Sequence, residues 1–195
     1  MTELLFLRHG ITDWNVARRM QGRQDIPIND EGREMVGAWR LPERFAAAAL
    51  VASPLVRARE TAEIVKANHP GLGDLQTDER LMERSWGVWE GRNLHEMEAD
   101  VGPEIHSADL RPEGGESRRD LLGRIAGFLS DIASRDAPAV VVTHRGVIRT
   151  VYGIATGWDL AGETPDEMSR RRGQVFRALP GGGAELAQLN LSLKG

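Results

Sequence analysis

At 195 residues the chain has the length of one domain, enough to bury roughly 70% of its unfolded surface without a disulfide or metal staple. It contains no cysteine, which excludes disulfides, thiolate zinc sites, iron–sulfur clusters and a cysteine nucleophile. With 41% hydrophobic residues, 28% charged residues and a net charge of −4, it has a globular balance and lacks the broad basic footprint of a nucleic-acid binder.

The predicted elements begin with Leu4-Leu5-Phe6-Leu7, a short continuous apolar run that suits a strand covered on both faces. It ends at Arg8 and is too short for a secretory apolar region, and no segment approaches the ~18 apolar residues of a membrane span. The expected location is therefore the cytoplasm, with no membrane partner. A helix follows over Asp30 to Arg40, a strand over Ala49 to Ser53, a helix over Arg57 to Asn68 and a weaker strand over Leu75 to Thr77. The stretch 84–115 is rich in glycine and charge with weak periodicity, and reads as a long insertion of substrate loops over the sheet's edge. Leu121, Leu122, Ile125, Phe128, Leu129 and Ile132 then form one helical face, with Ser117 as N-cap and Asp120 in the first turn. The β-branched run Ala139 to Thr143 is a strong strand, and a helix follows over Val147 to Thr156. Strands over Gln174 to Leu179 and Glu185 to Leu191 flank the hairpin turn Pro180-Gly181-Gly182-Gly183. This alternation predicts one α/β domain over 1–195, a three-layer α/β/α sandwich with a mostly parallel central sheet.

Two histidines occupy matching places: His9 follows the first strand in Leu7-Arg8-His9-Gly10, and His144 follows the valine-rich strand in Thr143-His144-Arg145-Gly146. Ligands of open α/β sheets bind at the carboxyl ends of strands, so neighbouring strands here would aim both imidazoles into one crevice. The strand ending at Ser53 delivers Arg57 at a helix start, a ready anion site. Gathering Arg8, Arg57 and two histidines is costly unless an anion compensates them, and phosphate is the obvious candidate. Only Lys66 and Lys194 are lysines, leaving 23 arginines; arginine-favouring codon usage explains the bulk of them, so each must be argued by position.

These residues resemble a known family. Arg8-His9-Gly10-Ile11-Thr12-Asp13-Trp14-Asn15 is similar to the Arg-His-Gly-x-Thr-x-x-Asn motif of the histidine phosphatase (phosphoglycerate mutase-like) superfamily. The segments Ser53 to Ala62, Leu81 to Gly91, Gly115-Glu116-Ser117 and Thr143 to Arg149 resemble its later blocks, in the family's order. The resemblance implies a phosphoglycerate mutase-like fold and a phosphomonoesterase of small phosphorylated metabolites. His9 would be the nucleophile, with its far nitrogen held by a backbone carbonyl, and would pass through a phosphohistidine. Arg8, Arg57 and His144 would hold the phosphoryl oxygens, and Glu83 would be the general acid and base. Asn15 and Gln21 match substrate-contacting or loop-ordering positions. Arg145 departs from the family's commoner small residue, and either contacts substrate or pairs with a surface acid. No metal or cofactor is expected, because arginine and histidine supply the countercharge.

Several smaller expectations remain. Glu116-Ser117 reads as substrate contact or helix cap, and Trp86 with Trp89 as core or pocket wall. His69, His95 and His106 read as solvated, and Arg170 to Arg172 as a solvated face. A second cationic pocket, for which Arg145, Arg92 and Arg23 are candidates, would suggest a bisphosphate or carboxylated substrate. The alternative activity is a cofactor-dependent phosphoglycerate mutase; those look longer, and a chain that ends soon after its last strand favours hydrolysis. A protein phosphohistidine phosphatase and a non-catalytic phospholigand-binding module are further alternatives, and a homodimer is the default assembly.

Overall fold

A computed structural model describes residues 1–135 and 137–194. In chain order it contains β1 (Thr2–Arg8), α1 (Asp13–Val16), α2 (Asp30–Gly37), β2 (Ala49–Ala52), α3 (Val56–Asn68), β3 (Leu75–Thr77), α4 (Leu94–Val101), α5 (Arg118–Ile132), β4 (Ala139–Thr143), α6 (Arg145–Thr156), β5 (Gly173–Ala178) and β6 (Ala184–Leu191). The sheet order is β3-β2-β4-β1-β5-β6. The first four strands in that order pair in parallel, and β5 and β6 join one edge antiparallel.

Unbroken apolar strands require cover on both faces, and the two core clusters supply it. Leu4, Phe6, Ala139 and Val141 pack with Leu121, Ile125 and Phe128 of α5 and Val147 and Val151 of α6. The alternate residues Leu5, Leu7, Val140 and Val142 pack with Val36 of α2 and Ala58, Ala62 and Val65 of α3. The result is the three-layer sandwich that the alternation predicts. Ser117 and Asp120 exchange backbone-to-side-chain bonds in a capping box that starts α5 where expected.

The short helix α1 has no counterpart in the sequence reading, and three further regions differ from it. The helix from Asp30 stops at Gly37 because Trp39 turns into the core, 5% exposed, and the Arg40 N–H donates to the Leu193 carbonyl. The helix expected from Val147 begins at Arg145, with extended His144 as its N-cap. The 84–115 stretch holds α4, capped by Asn93, and 3-10 turns over Gly87–Trp89 and Gly102–His106. Met97 and Ile105 pack with Met20 into a small third core beside Trp86, Trp89 and Leu94, too few anchors for a clear period. Among the described residues no helix is long and apolar enough to cross a membrane.

Helix α2 bears directly on the loop after β1. A Cβ on Gly32 would lie 2.3 Å from the Ile11 carbonyl oxygen, and the Asn29 N–H donates to that same oxygen at 2.8 Å. Gly32→Ala should therefore cost about 2 kcal/mol of stability by overpacking. Urea unfolding checks this as a lowered midpoint with an unchanged slope.

Candidate active site

The site begins with strand register. Arg8 pairs with Thr143, and the His9 N–H donates to the Thr143 carbonyl at 2.9 Å, so His9 and His144 leave adjacent parallel strands side by side. Their ring centroids lie 5.2 Å apart, with His9 5% and His144 0% exposed.

Each ring is held by its far nitrogen. His9 Nδ1 lies 2.7 Å from its acceptor, the Gly10 carbonyl, which assigns the proton to Nδ1 and leaves Nε2 bare. The Gly10 N–H donates to Thr61 Oγ1, whose hydroxyl donates to the Arg57 carbonyl, tying the loop to α3. His144 Nε2 lies 2.8 Å from Ser53 Oγ, which also accepts from the Leu55 N–H. Ser53 is fully buried and its hydroxyl has no other acceptor among the described residues, so its hydrogen goes to Nε2. Neutral His144 then carries its proton on Nδ1, a buried donor without a partner.

Arg57 is fully buried, its guanidinium fixed by Nη1 donating to the Gln24 carbonyl and Nη2 to the Gly22 carbonyl, both at 2.7 Å, while Nε has no partner among the described residues. Half-buried Arg8 donates to no acceptor among the described residues. Glu83 is aimed by the backbone: Oε1 accepts from the Arg84 N–H at 2.8 Å and Oε2 from the Gly146 N–H at 3.1 Å. Its own main chain is anchored by Arg124 of α5, which donates to the Glu83 carbonyl.

Burial, reinforced by Arg8 and Arg57, holds His9 well below the usual imidazole range. His144 is lowered likewise by burial, Arg57 and His9. Burial with the charges of Arg170 and Arg145 pushes Arg8 down to about 9, still cationic at neutral pH. Neutral imidazoles among crowded cations are what an arriving anion would find.

Arg8, His9, Asn15, Gln21, Arg57, Glu83 and Arg145 all line one cavity of about 510 Å³, and His144 packs against His9 behind that lining. Asn15 forms a capping box with Thr12, and Gln21 Oε1 is buried without a partner. Arg145 lines the cavity and pairs with the exposed Glu163 at 2.7 Å. Arg23 pairs with Glu116 and Arg92 with Asp100, and neither lines the cavity. His95 and His106 are exposed as expected yet line the cavity beside Glu98; Trp86 is wall and Trp89 small core. From the expected solvated run, Arg170 also lines it. Arg84, Arg118, Arg149 and the Ser53 partner of His144 were not legible, because one arginine among 23 carries no positional signal of its own. Of the six buried side-chain atoms that lack a partner among the described residues, five belong to Gln21, Arg57, Arg84 and His144 around this cavity. Among the described residues no group of three or more His, Asp and Glu is placed to hold a metal ion.

The lowered histidines make stability depend on pH. Each stays neutral when folded but protonates in the unfolded chain near pH 6.5, so the unfolded state gains protons as pH falls and stability is lost. Between about pH 7.5 and 5.5 each costs about 1 kcal/mol. His9→Asn should remove about half of the loss the two impose, measured by urea unfolding at both pH values.

A model of the histidine phosphatase superfamily (branch 1) matches residues 4–180. The chain is 36% identical over 162 residues to phosphoglycerate mutase-like protein 4 of Arabidopsis thaliana, covering 77% of this chain and 69% of that one. It is 33% identical over 160 residues to glucosyl-3-phosphoglycerate phosphatase of Mycobacterium tuberculosis, 74% of this chain and 71% of that one. It spans 44% of a longer relative, a bifunctional protein of the same organism. A solved mycobacterial glucosyl-3-phosphoglycerate phosphatase in complex with VO3 superposes with a TM-score of 0.78 at 26% identity, covering 98% of this chain and 100% of that one. Motif order, strand-end histidines and these likenesses agree: the chain belongs to the histidine phosphatase superfamily, branch 1.

Proposed function

We propose that the chain is a phosphomonoesterase of small phosphorylated metabolites that works through a phosphohistidine on His9. The observation that carries this reading is a buried, neutral imidazole with a bare Nε2, set beside Arg8 and Arg57 and near Arg57 Nε and His144 Nδ1, two buried nitrogens with no partner among the described residues. A phosphoryl group supplies the missing acceptors and the missing negative charge. The likeness to relatives named as phosphatases points the same way.

In the first step His9 Nε2 attacks phosphorus in line; a P–N bond forms and the P–O bond to the leaving group breaks. Glu83, held by the Arg84 and Gly146 N–H groups, gives its proton to the departing alkoxide. In the second step the Glu83 carboxylate takes a proton from water, whose oxygen attacks phosphorus as the P–N bond breaks and returns its electron pair to Nε2. Arg8, Arg57 and the Nδ1–H of His144 hold the phosphoryl oxygens through both steps, and preorganised donors of this kind are each worth about 3 kcal/mol of barrier. Asn15 and Gln21 border the phosphoryl group, and the 84–115 segment, which supplies Trp86, Leu94, His95 and Ile105 to the cavity lining, shapes the leaving-group site.

Phosphate release from a panel of metabolites tests the reading. The panel contains 3-phosphoglycerate with 2,3-bisphosphoglycerate, and 2-phosphoglycerate is followed alongside free phosphate. Release should fall at least about a thousandfold in His9→Ala. Interconversion of the phosphoglycerates with little free phosphate would make the chain a mutase. Ligand binding with no turnover of either kind would leave a binding module.

A second prediction isolates the acid. A Cβ on Gly146 would lie 2.1 Å from Glu83 Oε1, so Gly146→Ala must displace that carboxyl. Hydrolysis of an alkyl phosphate should drop about a hundredfold. Hydrolysis of p-nitrophenyl phosphate, whose leaving group needs no proton, should drop much less.

A further inference from the structure

A second cationic group stands in the same cavity, beyond the residues that would hold the phosphoryl group. Arg84 is 3% exposed, and neither Nη1 nor Nη2 has a hydrogen-bond partner among the described residues. The guanidinium lies over Trp86, its central carbon 3.6 Å from the ring centroid, and both side chains line the cavity. Arg118 and Arg149 line it too, and with burial their charges push Arg84 down to about 10, so it stays cationic. Arg118 donates to the Leu160 carbonyl and Arg149 to the Gly162 carbonyl, which fixes both.

None of the nearby carboxylates among the described residues pairs with Arg84, although Glu163 pairs within the group with Arg149, and Glu98 faces His95 and His106. Glu163 pairs with Arg145 and Arg149, Glu116 with Arg23 and Arg124, and both Glu83 oxygens accept backbone N–H groups. Contact with Trp86 accounts for the position of Arg84 but leaves two buried charged donors unpaired, an expensive arrangement in a folded protein. A planar two-oxygen anion matches that fork. A hydroxyl group would satisfy one donor and leave the charge uncompensated.

We propose that the leaving group of the substrate carries a second anion, a carboxylate or a phosphoryl group, held by Arg84 with Arg118 and Arg149. Arg84 takes the place in this subsite that Arg23 and Arg92 hold in the sequence reading. The proposal rests on the phosphatase reading for its reaction, but the subsite can be tested apart from it.

The test uses two matched pairs: 3-phosphoglycerate against glycerol 3-phosphate for a carboxylate, and fructose 1,6-bisphosphate against fructose 6-phosphate for a phosphoryl group. In at least one pair kcat/KM should favour the doubly anionic member about tenfold or more, and the favoured pair identifies the anion. Arg84→Met, which keeps the volume and removes the charge, should shrink that ratio to about threefold or less. Arg118→Gln should shift the ratio in the same direction, and serves as the second variant if Arg84→Met does not fold. An enzyme that hydrolyses p-nitrophenyl phosphate yet shows no preference in either pair, or a preference unchanged in the folded variants, overturns the second-anion site and leaves the phosphatase reading intact. If no ester is hydrolysed, the phosphatase reading fails, and the same pairs are titrated by calorimetry. Tighter binding of a doubly anionic member then still supports the site, and equal affinities overturn it.

Discussion

The parallel pairing of β1 with β4 is the constraint on which the rest of the site depends. Its register sets Arg8 opposite Thr143, and one further backbone bond, His9 N–H to the Thr143 carbonyl, fixes where both histidines emerge. A one-residue slip would turn Leu4 to Leu7 and Val140 to Val142 onto the wrong layers, so the two cores police the geometry of the imidazoles. The sheet thus specifies the 5.2 Å ring separation through packing far from the chemistry.

Around that pair the protein assembles more positive charge than its cavity carboxylates pair with directly. Arg57 is pinned by carbonyls instead of carboxylates, as are Arg118 and Arg149 in part, so their charge remains available to the cavity. Buried cations without partners cost folding free energy, which the hydrophobic layers on both sheet faces must offset. The same burial keeps His9 neutral, so the conditions that penalise these unpaired cations also leave the His9 lone pair free.

The fold was legible wherever a residue's neighbours in sequence set its environment. The unbroken run Ala139 to Thr143 requires two covered faces, the heptad-like spacing in α5 requires one, and the Ser117–Asp120 cap needs only local bonds. The helix over Leu94–Val101 was not legible, because it is held by Met97 and a small cluster drawn from Met20 and Ile105, with little periodicity of its own. The ends of α2 and α6 shifted for similar reasons: a buried Trp39 ends one, and an extended His144 that caps the helix starts the other.

The sequence by itself determined the candidate residues, since Arg8, His9, Arg57, Glu83 and His144 stand in ordered motifs at strand and helix ends, where backbone groups are free. Their protonation and aim rest partly on chain neighbours and partly on tertiary contacts. The bare Nε2 of His9, the proton on His144 Nδ1 and the aim of Glu83 each depend on a partner: Gly10 for the first, but Ser53 and Gly146 for the others, 91 and 63 residues away. Tertiary structure also singled out Arg84, Arg118 and Arg149 from the many arginines. Electrostatics and hydrogen bonding act through space, and which guanidinium faces the cavity with charge to spare is settled only when folding has placed its partners.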